Sequence, residues 1–236
     1  MPERTRWLGR LLLSLCLPAI TACGASRPPT DDILCFTCTE VICEPADPAA
    51  CGEPSGQQAN AASEARFTSG EIDLTGNGVP EQVRRVGTQV RIEQDGVEVW
   101  RTPPNWDAVD AALGDPNDDG REELLLAFWR EDKEGTLRSH PFIIGYREGT
   151  YRTLWGGSAV RDPIHEVELG DLDGDGIQEL VVLESYGEGS RAVTVWRWHG
   201  WGFSLQWRSE PGAYSDLELV SGNDDLSANI RVIRVP

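Results

Sequence analysis

Three stretches of the chain repeat one acidic pattern, and that repetition limits the fold more than any other feature. They are Asp73-Leu-Thr75-Gly-Asn77-Gly78-Val-Pro-Glu81, Asp115-Pro-Asn117-Asp-Asp119-Gly120-Arg-Glu-Glu123 and Asp171-Leu-Asp173-Gly-Asp175-Gly176-Ile-Gln-Glu179. A degenerate fourth copy starts at Ser221, with Asn223, Asp225 and Asn229 at the same offsets and Leu226 in place of the glycine. Motifs recurring at such intervals mark one supersecondary unit per copy, each needing its neighbours to bury its apolar face.

The sequence around each loop is β-like. Leu124 to Phe128, Leu180 to Leu183 and Ile230 to Val235 are short apolar runs suited to buried strands. A hairpin is expected after each of the three loops. Val90 and Ile92 alternate with polar residues, Asp95-Gly96 supplies a turn, and Val97 and Val99 resume the alternation. Phe142 to Tyr146 and Tyr151 to Trp155 flank Glu148-Gly149, and Ala192 to Trp198 and Trp201 to Arg208 flank His199-Gly200. Trp201, Phe203, Leu205 and Trp207 would share one face of the last strand. Trp100, Trp155 and Trp207 close the three returning strands at equivalent points, which predicts packing between neighbouring sheets rather than a carbohydrate platform. The expected class is all-β, with three units and a partial fourth over residues 65–236.

The loops have the composition of calcium sites. Calcium takes six to eight oxygen ligands, so carboxylates must converge from a tight turn, and the glycine at position 6 permits the reversal. The third loop offers Asp171, Asp173, Asp175 and Glu179 with the Ile177 carbonyl. The second offers Asp115, Asn117, Asp119 and Glu123 with the Arg121 carbonyl, and the first Asp73, Thr75, Asn77 and Glu81 with the Val79 carbonyl. Ligand carboxylates number four, three and two, which predicts affinity in the order third, second, first, with the fourth copy empty. Acidic Asx turns without metal are the alternative reading.

On these loops and their β flanks, residues 65–236 resemble the integrin-like FG-GAP or VCBS repeat proteins, although the Phe-Gly and Gly-Ala-Pro signatures are missing. The resemblance implies β-propeller-like blades, structural calcium and an adhesion or scaffolding role toward a protein or glycan ligand. Three blades and part of a fourth are too few for the usual ring. Either a strand near Phe67 closes a small four-bladed ring, or the blades form an open arc prone to self-association.

The N-terminus reads as an export signal. Arg4, Arg6 and Arg10 precede the apolar run Leu11 to Ile20, too short to span a bilayer. Ile20-Thr21-Ala22-Cys23 resembles a bacterial lipobox, which implies a signal peptide over 1–22, lipidation of Cys23 and anchorage in the cell envelope. Gly24, where aspartate would signal inner-membrane retention, favours the outer membrane or cell surface. Residues 23–64, rich in Pro, Ala, Ser and Gln, read as a flexible or disordered linker. Its Cys35, Cys38, Cys43 and Cys51 would form two disulfides in an oxidising compartment, with zinc as the alternative.

The formal net charge of −18, from 39 acidic and 21 basic residues, argues against nucleic-acid partners. His140, His165 and His199 are isolated, and no nucleophile elbow or phosphate loop is present. A binding or scaffold module is therefore expected over an enzyme, with an envelope polysaccharide hydrolase or lyase as the rival.

Overall fold

The computed structural model describes residues 32–39, 42–51, 67–131, 133–157, 163–187, 189–222 and 227–234. Residues 1–22 and Cys23, the expected signal peptide and lipidation site, lie outside them. Among the described residues no helix is long and apolar enough to cross a membrane.

The described chain is all-β, in four antiparallel sheets of four strands. Sheet I contains β3 (Ser69–Ile72), β4 (Glu81–Val86), β5 (Gln89–Gln94) and β6 (Val97–Arg101) in sequential order. Sheet II repeats it with β7 (Asp107–Gly114), β8 (Glu123–Glu131), β9 (Leu137–Arg147) and β10 (Thr150–Gly156). Sheet III does so with β11 (Ile164–Gly170), β12 (Glu179–Ser185), β13 (Arg191–Trp198) and β14 (Phe203–Arg208). Each acidic loop joins the first strand of its sheet to the second.

Sheet IV is assembled from both ends of the chain. β15 (Tyr214–Ser221) and β16 (Ala228–Arg234) are followed in the sheet by β1 (Asp32–Thr39) and β2 (Ile42–Ala46). Leu34 pairs with Val232 and Phe36 with Ile230. The stretch expected to be a structureless linker thus supplies the hairpin that the fourth repeat lacks. The physical reason is alternation: Leu34, Phe36 and Cys38 face one way, and the apolar face of β16 needs a partner. The strand near Phe67 is β3 of sheet I and closes no ring, while Phe67 itself packs between sheets I and II.

Disulfides Cys35–Cys51 and Cys38–Cys43 use all four linker cysteines, so the zinc alternative falls. Cys38 and Cys43 are cross-strand partners in the β1–β2 hairpin. Cys35–Cys51 draws the 3-10 turn Pro48–Cys51 over the outer face of sheet IV, where Asn229 Nδ2 donates to Ala50 O at 3.1 Å and Arg231 Nη1 to Cys51 O at 3.3 Å.

Three apolar layers join the sheets in the order I, II, III, IV. Leu124, Leu126 and Phe128 of β8 face Val83 and Ile92 of sheet I. Leu125 and Ala127, on the opposite face of the same strand, meet Val167 and Val182 of sheet III. Val181, Leu183 and Val195 pack against Phe36, Ile230 and Val232 of sheet IV. A strand buried on both faces has to be a continuous apolar run. Trp100, Trp155 and Trp207 pack one into each layer, as their equivalence in sequence predicted.

Among the described residues no apolar layer joins sheet I to sheet IV, and the sheets do not close into a ring. The outward face of sheet I carries Arg84–Glu93 and Arg91–Glu98 ion pairs at 3.4 Å beside exposed Val86. At the inner strands, Asp110 accepts backbone N–H groups of Phe67 (3.1 Å) and Val167 (2.9 Å), and Glu166 accepts that of Leu217 (2.8 Å). Two buried carboxylates thereby tie sheets II, III and IV to one another and to the segment leading into sheet I.

Two local readings need correction. A register shift between Val195 and Trp196 sets Gln206 as a bulge in β14, so Trp207 faces sheet IV while Phe203 faces sheet II. Trp201 is not in the strand and is 83% exposed, so the four-residue apolar face is split. His140, isolated in sequence, is buried and stacked on Phe128, and His165 Nε2 lies 2.8 Å from Ser185 Oγ.

Candidate metal centres

The first aspartate of each loop organises the turn. Asp171 accepts the N–H groups of Gly174 (2.7 Å) and Gly176 (2.8 Å), and Asp115 those of Asp119 (3.1 Å) and Gly120 (2.8 Å). Asp73 does the same with Gly76, Asn77 and Gly78. Burial pushes the Asp73 carboxyl up, but these bonds and Thr75 together hold it below the usual range. Position 6 is left-handed throughout, as Gly78, Gly120 and Gly176. Position 4 is left-handed too, and there the second loop places the non-glycine Asp118 at φ 53°.

Position 9 begins the second strand of sheets I, II and III, and Glu81, Glu123 and Glu179 are fully buried. Glu81 Oε2 accepts Leu74 N at 2.8 Å and Glu179 Oε2 accepts Leu172 N at 3.1 Å. Pro116 stands at that position in the second loop and has no N–H, so Glu123 Oε1 takes Arg147 at 2.5 Å instead. The remaining oxygens, Glu81 Oε1, Glu123 Oε2 and Glu179 Oε1, have no hydrogen-bond partner.

The loops bring carboxylates together unequally. Ligand oxygens of Asp115, Asp119 and Glu123 lie within 4.8 Å of one another, as do those of Asp171, Asp173 and Glu179. Asp175, expected as a fourth ligand of the third loop, turns to Arg197. Asn117 and Asn77 spend their side-chain oxygens on Asp119 N (3.1 Å) and Val79 N (2.7 Å). The first loop forms no three-acid group among the described residues. In the fourth copy residues 223–226 are not described, and Asn229 is committed to Ala50.

Burial, with neighbouring aspartates adding, pushes the Glu123 and Glu179 carboxyls up to about 7, against the pull of Arg147 and Arg197. Fully buried carboxylates with a free oxygen and like-charged neighbours call for a cation. The donor set is all oxygen, which suits a hard ion such as calcium or magnesium.

Sequence reasoning missed the residues that reach the loops from elsewhere. Arg147 and Arg197 come from β9 and β13, and burial, then Glu81, pushes up the Tyr151 hydroxyl of β10. Their only signal is an arginine shortly before a hairpin glycine, at Gly149 and Gly200. Away from the loops, a cavity of about 380 Å³ between sheets II and III is lined by Trp155, Trp196, Trp201, Phe203 and the buried Glu184.

No protein-family model matches the chain, and no curated protein matches it.

Proposed function

We propose that this is an exported, membrane-tethered binding or scaffold protein whose second and third loops take structural calcium. One observation carries the metal reading: in two loops, oxygens of two aspartates and a fully buried glutamate converge, and one oxygen of that glutamate has no hydrogen bond. The resemblance to FG-GAP or VCBS repeats and propeller-like blades belongs to the same proposal, and the acidic loop between first and second strands supports it. Two disulfides suit an oxidising compartment, and the lipobox-like Ile20 to Cys23 suits a lipid anchor. The aromatic cavity beside exposed Trp201 offers one place for an unidentified protein or glycan ligand.

Calorimetric titration of EDTA-treated protein with calcium tests the metal reading. Uptake should fall when Asp171 and Asp175 are both replaced by alanine. No uptake by the wild type, together with a melting temperature indifferent to EDTA, would sink it.

A further inference from the structure

Each three-carboxylate cluster contains one guanidinium. Arg147 Nη2 lies 2.5 Å from both Asp119 Oδ2 and Glu123 Oε1. Arg197 bonds Asp175 and lies 3.4 Å from Asp173 and 3.7 Å from Glu179 Oε1. Both come from the third strand of their sheet, beside the strand that begins with the buried glutamate. Both select the position-5 aspartate and approach the position-9 glutamate, and their side chains are only 15% and 20% exposed.

The guanidinium serves these clusters incompletely. It brings one positive charge to at least three carboxylates, and its planar fork reaches oxygens on one side only. Glu123 Oε2 and Glu179 Oε1 stay without a hydrogen bond although both side chains are fully buried. A permanent structural partner would hydrogen-bond both oxygens, whereas Arg197 stands 3.7 Å from Glu179 Oε1 and Arg147 leaves Glu123 Oε2 aside. Sheet I provides a comparison: the Tyr151 hydroxyl sits near Glu81, so the loop with two carboxylates has a neutral neighbour.

We propose that Arg147 and Arg197 are built-in competitors for the two cation sites, displaced toward solvent when a divalent ion enters. This rests on the calcium reading above. The ion and the arginine draw on the same carboxylates, Asp119 and Glu123 in the second loop and Asp173 and Glu179 in the third. Each site's affinity is then that of its carboxylates reduced by the cost of evicting the arginine. A monovalent ion only exchanges one unit of charge for another, whereas a divalent ion adds one, so the arginines select by valence. The third loop, richest in carboxylates, gives up part of its advantage to Arg197.

The test uses the full chain in potassium chloride with calcium chloride as titrant. Arg147→Met and Arg197→Met keep a long unbranched stem without the charge. Each should tighten calcium binding at its own loop, roughly tenfold, the scale of removing one close competing charge. Unchanged or weaker binding overturns the proposal. A second measurement needs no substitution: modification of arginines by phenylglyoxal, followed by peptide mass spectrometry. Calcium should accelerate modification of Arg147 and Arg197 severalfold relative to exposed Arg84, and additional potassium should not. Calcium uptake with those two arginines still protected overturns the competition alone. No calcium uptake by the wild type or either variant overturns the calcium reading instead.

Discussion

Gln178, in the third loop, accepts the backbone N–H of Asp115, the first residue of the second loop, at 2.8 Å. One repeat earlier Glu122 accepts the N–H of Asp73 at 3.0 Å. The eighth residue of each loop therefore anchors the start of the loop before it, and the three loops form a chain across the sheets. The fit is close, since a Cβ on Gly114 would lie 2.2 Å from Gln178 Oε1.

Gln178→Ala should accordingly disturb the second loop more than its own. We expect about 1 kcal/mol of destabilisation from the lost bond. Calcium binding should weaken at the second loop and stay unchanged at the third. Calorimetry on Gln178→Ala in an Asp171→Ala background isolates the second loop and checks this directly.

Asp110→Ala removes the acceptor for two backbone N–H groups, one in the segment leading into sheet I and one in sheet III. Bonds to a charged acceptor are worth about 1.5–3 kcal/mol each, so a loss of about 3 kcal/mol or more is expected in urea unfolding. Asp110→Asn keeps a single carbonyl acceptor and should lose less.

Replacing both Cys35 and Cys51 by serine frees the turn that covers Asn229 and Arg231. Closing a loop of this length is worth about 3 kcal/mol. Amide hydrogen exchange should accelerate in β1, β2 and β16 while β8 retains its protection. Uniform acceleration through every sheet would contradict the layered core.

The pH dependence of the metal-free protein has two sides. Glu123 and Glu179, raised to about 7 by burial, bind protons in the folded state that the unfolded chain has lost above 4.5. Their contribution is complete below 4.5 and disappears as pH rises through 7. His165, lowered to about 4 by burial, acts oppositely: its contribution is present above 6.5 and is lost as pH falls toward 4. Melting temperature in EDTA should therefore decline on both sides. Glu179→Gln should flatten the alkaline limb, and His165→Asn the acid one.

The parts legible in the sequence are those governed by neighbours along the chain. Asp-Gly and Glu-Gly turns, with Asp95 and Glu148 both left-handed, fixed two hairpins, and apolar runs marked the buried strands. The acidic loops were readable because Asx turns and glycines act over a few residues. What escaped depends on distant partners. β1 looks like linker because its partner β16 lies at the other end of the chain. The bulges ahead of Trp100, Trp155 and Trp207 are set by cross-strand register, which periodicity along one strand does not encode. Arg147, Arg197 and Tyr151 reach the loops across strands, so spacing alone could not place them.

Because β16 accepts β1, the cysteine hairpin depends on a strand from the far side of the sequence. A nascent chain shorter than about Ala228 offers the cysteine hairpin no ladder to join, whereas sheets I to III are already complete. Pairing of β1 thus waits on β16, and a chain lacking that strand would leave the cysteine hairpin without its ladder.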